Sequence, residues 1–108
     1  MDQNKFYLDA NYNLTNLSSD ADISANTIRE VIASSGYKNF SAYINSFRIA
    51  HAEQLISNGY LDTYSIESLC KDSGFQSEVT FYRVFKKINH CTPKEFTYNL
   101  KNYKQTSW

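Results

Sequence analysis

An all-α fold made of two similar modules on one long helix is predicted by three observations. Apolar residues recur at three- and four-residue spacing through most of the 108 residues, without sustained alternation. Three glycines and one proline are too few for a turn-rich β protein. One stretch also occurs twice. Leu17 to Ile23, followed by Ser24 to Ile32, is echoed by Leu69 to Phe75, followed by Ser77 to Phe85, offset by 52 residues before the turn and 53 after it. Each copy reads as a short helix, a tight turn and a second, separately capped helix, which is the layout of a helix-turn-helix. About six to seven helices are expected, in a single domain over residues 1–108.

The elements follow in order. Residues 1–12 are polar around a Phe6-Tyr7-Leu8 cluster and read as a helix end or a packed arm. Asn13 can cap a helix over 14–20 that places Leu14 and Leu17 on one face. Ser24 can cap the next, over 25–34, with Ile28, Val31 and Ile32 as its buried stripe. Gly36 then supplies a left-handed stop, closing a first helix-turn-helix over 13–36. The longest pattern runs over 40–58, with Tyr43, Ile44, Phe47, Ala52, Leu55 and Ile56 recurring at three and four, and ends at Asn58-Gly59. Its eighteen or so residues span roughly 28 Å, enough to hold two modules at a fixed separation.

Ser65 can cap a helix over 66–72, with Glu67 favoured in its first turn by the helix dipole. Gly74-Phe75 makes the turn. Ser77 caps a helix over 78–88 whose Phe81, Val84, Phe85 and Ile88 face inward while Glu78, Thr80, Arg83, Lys86 and Lys87 face out. This second helix-turn-helix occupies 65–88. Thr92-Pro93-Lys94-Glu95 combines a capping box with proline at the first helical position, opening a last helix over 92–100 before a frayed tail.

Charge is the next constraint. The formal net charge is zero, yet residues 1–82 carry five basic against ten acidic side chains, and residues 83–108 carry six basic against Glu95 alone. Local field sets where a polyanion docks, so the basic C-terminal third is the expected electrostatic footprint. No apolar run approaches the roughly 20 residues needed to cross a bilayer, and the N-terminus lacks a signal peptide's apolar core. The chain is expected to be cytoplasmic, without membrane contact. Cys70 and Cys91 are expected to be reduced, structural thiols, and His51 and His90 have no metal-ligand spacing, so neither metal nor cofactor is expected. With no nucleophile elbow, phosphate loop or carboxylate pair, catalysis is not expected.

In a helix-turn-helix the second helix lies in the major groove, where each base pair shows a distinct donor and acceptor pattern. Outward residues near its N-terminus are therefore the expected readers. These are Asn26, Thr27, Arg29 and Glu30 in the first module, and Glu78, Val79, Thr80 and Arg83 in the second. Arginine can bridge guanine O6 and N7, asparagine can do the same on adenine, glutamate can accept from cytosine, and threonine or valine can touch a thymine methyl. Phosphate contacts are expected from Ser24, Ser77, Lys86, Lys87 and Lys94; such contacts set register and affinity but carry no sequence information.

The chain resembles the DNA-binding domain of the AraC/XylS family of bacterial transcription regulators over roughly residues 12–98. The resemblance rests on Phe40-Ser-Ala-Tyr43-Ile44, Arg48, Ala52, Leu55-Ile56, Ser65-Ile66 through Leu69, and Ser73-Gly74-Phe75. It continues through Phe81-Tyr-Arg83-Val-Phe85-Lys86-Lys87 and Thr92-Pro93-Lys94-Glu95-Phe96. It implies double-stranded DNA as partner, two recognition helices in successive major grooves, and RNA polymerase as a further partner. It also implies a sensing or dimerisation region ahead of an excised C-terminal domain, with a small standalone regulator as the other form.

The sequence departs from the family pattern at Asp22 and His90, which occupy usual glycine positions; both residue types tolerate positive φ. Glu30 stands where a basic residue is common, with Asp20 and Asp22 nearby. The second module is therefore expected to supply most of the affinity. The alternative is a helical protein-interaction module that has kept the fold and binds DNA weakly or not at all.

Overall fold

The computed structural model describes residues 5–106. Among these, seven α-helices follow a short 3-10 turn at Phe6–Leu8, with no strand. The helices are α1 (Leu14–Ala21), α2 (Ala25–Ser34), α3 (Phe40–Ser57), α4 (Tyr60–Thr63), α5 (Ile66–Asp72), α6 (Glu78–Asn89) and α7 (Pro93–Thr106). The all-α architecture is that expected.

Local chemistry explains where helices start and stop. Asn13 and Asn16 form a reciprocal capping box at α1, each side-chain oxygen accepting from the other's backbone N–H at 2.9 Å. Ser24, Ser65 and Ser77 cap α2, α5 and α6 by accepting from the N–H three residues on. Thr92 and Glu95 close the expected capping box at α7, at 2.8 and 3.1 Å. At the two departures from glycine the backbone is left-handed as foreseen, with φ of 55° at Asp22 and 62° at His90.

The helices form two lobes along α3. In the first lobe α2 packs on α3 and α1 packs on α2; the buried side chains of α2 are Ile28 and Ile32, while α1 buries none completely. The C-terminal half of α3 contributes Ile49, Ala52 and Ile56 to a larger core with Leu69, Cys70, Phe75, Phe81, Val84 and Phe85, against which Phe96 and Leu100 of α7 pack. The molecule is elongated, 48 × 26 × 26 Å, with a radius of gyration of 15.4 Å; a compact domain of this size would have about 13 Å.

Several expectations are corrected. Val31, placed in the buried stripe of α2, is 58% exposed, whereas its repeat counterpart Val84 is 8% exposed. Ile23 in the first turn is 45% exposed, against 4% for its counterpart Phe75. In the second lobe these positions belong to the larger core built with α3 and α7, whereas in the first they remain in solvent. Ile88 is likewise exposed, at the end of α6 beyond the core. The four-residue α4 was missed, being too short to show a period. α7 runs on to Thr106 instead of ending at residue 100, and residues 107–108 of the expected frayed tail lie outside the described part. Arg48 and Ile49 are buried although only their neighbours were assigned to the inner face.

Two outcomes follow. Val84→Ala should cost roughly 1–3 kcal/mol in chemical denaturation and Val31→Ala about 0.5 kcal/mol or less, because only the former opens a cavity. The Glu95 carboxyl is held below its ordinary value of 4.5, chiefly by the backbone N–H of Thr92. Its contribution is complete above that value and is lost as pH falls through the lowered one. Acidification should thus loosen the first turn of α7, read by NMR at the Thr92 amide, and Glu95→Gln should flatten that dependence.

Candidate nucleic-acid interface

The two helices that follow the turns carry the expected readers. In α6 the buried Phe81, Val84 and Phe85 fix the orientation of the rest. At 100° per residue, Val79, Arg83 and Lys86 project opposite that stripe, with Thr80 and Lys87 on one flank and Glu78 on the other. All are exposed except Thr80, which is half-buried beside the Ser77 cap. In α2 the same construction puts Asn26 and Glu30 opposite Ile28 and Ile32, with Thr27 and Arg29 on the flanks, all four exposed.

Some of these side chains already have partners. Arg29 Nη1 donates to Asn26 Oδ1 at 2.9 Å, so two of the first module's readers are bonded to each other. The Ser24 hydroxyl donates to Thr27 Oγ1 at 2.9 Å while accepting from the Thr27 N–H. Lys86 and Lys87 are exposed in the last turn of α6, where cations complement the helix dipole. Lys94 is exposed on a different element, the first turn of α7, beside His90, Cys91 and Tyr98. The side chains of Lys101 and Lys104, counted in the basic C-terminal third, lie outside the described ones.

The first helix of each module is tied to the segment before it by a matching device. Tyr12 donates to Asp20 at 2.9 Å, and Tyr60 donates to Asp72 at 2.5 Å, the two aspartates being repeat counterparts. Burial and then these hydrogen bonds push both phenols up to about 12, so both remain donors at neutral pH.

Arg48 is the functional candidate that its sequence position understated. It sits in the i, i+4 row Ile44, Arg48, Ala52, Ile56, a charged residue on a buried stripe, and it is 8% exposed. Its Nε donates to the Tyr7 carbonyl at 2.6 Å and Nη2 to the Asp9 carbonyl at 3.0 Å, with a longer bond from Nη1 to Asn45 Oδ1 at 3.3 Å. Burial pulls its pKa down, partly opposed by the Asp9 carboxylate; a guanidinium nonetheless stays charged. These bonds strap residues 5–12 across α3, where Tyr7 stacks on Phe47.

The strap also meets the second module's turn. Gln76 donates to Asn11 Oδ1 at 2.5 Å, and Gly74, at φ +90°, abuts the strap so closely that an added Cβ would lie 2.4 Å from the Tyr7 carbonyl oxygen. Between strap, α3 and the start of α6 lies a cleft of about 320 Å³ that touches both lobes. Among the described residues, no group of His, Cys, Asp or Glu gathers to hold a metal ion, and no helix is long and apolar enough to cross a membrane. Both cysteines are free thiols.

Two helix-turn-helix units on one rod, each with an exposed second helix, define a helix-turn-helix protein of the AraC type. A family model described as "Helix-turn-helix domain" matches residues 17–99, and the chain belongs to that AraC-type family. No curated protein sequence matches the chain.

Among solved structures, the C-terminal domain of the two-component response regulator YesN from Fusobacterium nucleatum is similar at 22% identity, with a TM-score of 0.70 over 87% of this chain and 88% of that one. The C-terminal domain of AraT, a response regulator from Geobacillus stearothermophilus, gives 17% identity and a TM-score of 0.73 over 88% and 76%. A protein of unknown function from Listeria innocua gives 23% and 0.69 over 87% and 86%. At these identities the likeness establishes the fold.

Gly74→Ala should destabilise the chain by at least roughly 1–3 kcal/mol, since the left-handed φ is strained for alanine and its Cβ collides with the strap. A lower denaturation midpoint with unchanged slope is the expected readout.

Proposed function

We propose that this chain is the DNA-binding domain of a bacterial AraC-type transcription regulator, recognising a specific double-stranded sequence with α2 and α6 in successive major grooves. The observation that carries this reading is the duplicated module on α3, with an exposed polar or basic face on the second helix of each copy. Base contacts are assigned to Asn26, Thr27, Arg29 and Glu30 and to Glu78, Val79, Thr80 and Arg83. Ser24, Ser77, Lys86, Lys87 and Lys94 are assigned to phosphates. The role is non-enzymatic, in the cytoplasm. In this reading a sensing or dimerisation region precedes the domain, and RNA polymerase is the second partner.

The two heads are unequal in this proposal. Glu30 lies on the reading face of α2, and Asp20 and Asp22 stand at its approach, whereas Arg83, Lys86 and Lys87 follow one another along α6. Phosphate attraction is thus concentrated on the second head.

Selection from a random duplex pool should yield a two-part site with half-sites about one helical turn apart. Binding should weaken with salt at a slope near −0.9 per phosphate, so roughly five contacts imply a loss of several hundredfold between about 50 and 200 mM. Salt-insensitive binding, or none, would favour the protein-interaction alternative. Arg83→Ala should cost roughly 1–3 kcal/mol of binding and relax specificity at one position. Arg29→Ala should cost less, and the reverse order would refute the asymmetry.

A further inference from the structure

The cleft between the lobes is lined by Asn13 from the start of α1, by Asn45 and Arg48 from α3, and by Gln76, Ser77 and Thr80 around the start of α6. Arg48 is its sole charged lining residue, and no carboxylate lines it. The guanidinium has five N–H groups. Three donate to neutral oxygens, one from each nitrogen, so two N–H groups of a cation more than nine-tenths buried lie outside these bonds. Among the described residues the one ion pair is Lys71 with Glu67, so the Arg48 charge has no salt-bridge partner and is offset only by the nearby Asp9 carboxylate and by the Phe75 ring, whose centroid lies 5.8 Å from its Cζ. A buried cation with spare donors is costly unless an anion completes it.

The lining of the cleft comes from elements that the proposed function brings to DNA. In a helix-turn-helix the first helix crosses the sugar-phosphate backbone and the second enters the groove by its N-terminal residues. Asn13 belongs to the start of the former in the first module, and Ser77 and Thr80 to the start of the latter in the second. If two heads occupy successive major grooves on one face, the backbone between them faces the middle of α3, where the cleft lies.

We infer that this cleft seats one backbone phosphate of the duplex segment between the two half-sites, against the free N–H edge of Arg48 and the amides of Asn45 and Gln76. The inference rests on the DNA-binding reading and adds a contact outside both reading helices. Its consequence is that spacing between half-sites is sensed by a fixed charge contact as well as by the length of α3. Arg48 then has two tasks, holding the strap through its carbonyls and meeting the phosphate with its remaining donors.

The test uses the selected duplex with single uncharged methylphosphonate linkages placed in turn through the spacer and half-sites. For the unmodified chain, one spacer position should weaken binding roughly tenfold, the scale of one charge-assisted hydrogen bond. Replacing Arg48 endangers the fold, so the variant is Asn45→Asp, which gives Arg48 an internal counter-ion and should keep or raise the melting temperature. It should bind the natural duplex roughly tenfold more weakly, lose sensitivity to that one neutral linkage, and show a salt slope shallower by about 0.9. Gln76→Glu, at an exposed position, should act in the same direction.

Tight binding indifferent to every neutral spacer linkage, with half-site linkages still mattering, overturns the seat and leaves DNA recognition standing. Failure to bind any duplex overturns both. A melting temperature raised by inorganic phosphate in the unmodified chain but not in Asn45→Asp, without a spacer effect, assigns the cleft to a free anion and overturns the duplex assignment.

Discussion

Eighteen residues of unbroken α-helix, Phe40–Ser57, are the constraint on which the rest depends. The helix contains neither glycine nor proline, so nothing in it invites a kink. Asn39 starts it by accepting from the Ala42 N–H at 2.8 Å, and Asn58-Gly59 ends it with a left-handed glycine. Its two halves do different work on different faces. Ile44 is buried in the N-terminal half, and Ile49, Ala52 and Ile56 fill the second lobe. A helix that buries several faces in succession has no single apolar stripe, which is why α3 reads less amphipathic than α2 or α6 although it is the most central element.

The lobes hung on this rod are not equal copies. The second has aromatic packing that runs from Phe75 through Phe81 and Phe85 to Phe96. The first has two fully buried isoleucines on α2 and leaves Ile23 and Val31 in solvent. Charge is unevenly spread along the sequence, with acids gathered ahead of residue 83 and bases from it onward, a division that cuts through the second lobe. Zero net charge thus conceals an uneven distribution along the chain, with the basic cluster Arg83, Lys86 and Lys87 on α6. Arg48 joins the halves: it reaches from the rod to the strap, and the strap reaches the turn of the second module.

Most of the architecture was legible because helix ends are encoded locally. Asn13, Ser24, Ser65, Ser77 and Thr92 each cap where their residue type and position foretold, and Asp22 and His90 took the left-handed conformation that glycine would have supplied. What escaped was set by distant parts of the chain. The periodicity of α2 marks Val31 as inward, but burial requires a covering element, and no local signal reports one. Arg48 bonds mainly to main-chain carbonyls, which leave no trace in side-chain spacing; the one available sign was a charge within an apolar i, i+4 row. Exposure of Glu78, Val79 and Arg83 was likewise readable from their neighbours, whereas the pairing of Arg29 with Asn26 depends on rotamers.

The central claim is that α3 acts as a rigid ruler between two reading heads. The most direct measurement is affinity for duplexes carrying the selected half-sites with the spacer lengthened in steps to a full helical turn of about 10.5 base pairs. A rigid ruler predicts that adding about half a turn, which rotates one half-site to the opposite face, reduces binding to that of a single half-site. Equal affinity at every spacing would contradict it, because heads that follow their sites independently are not held by one helix.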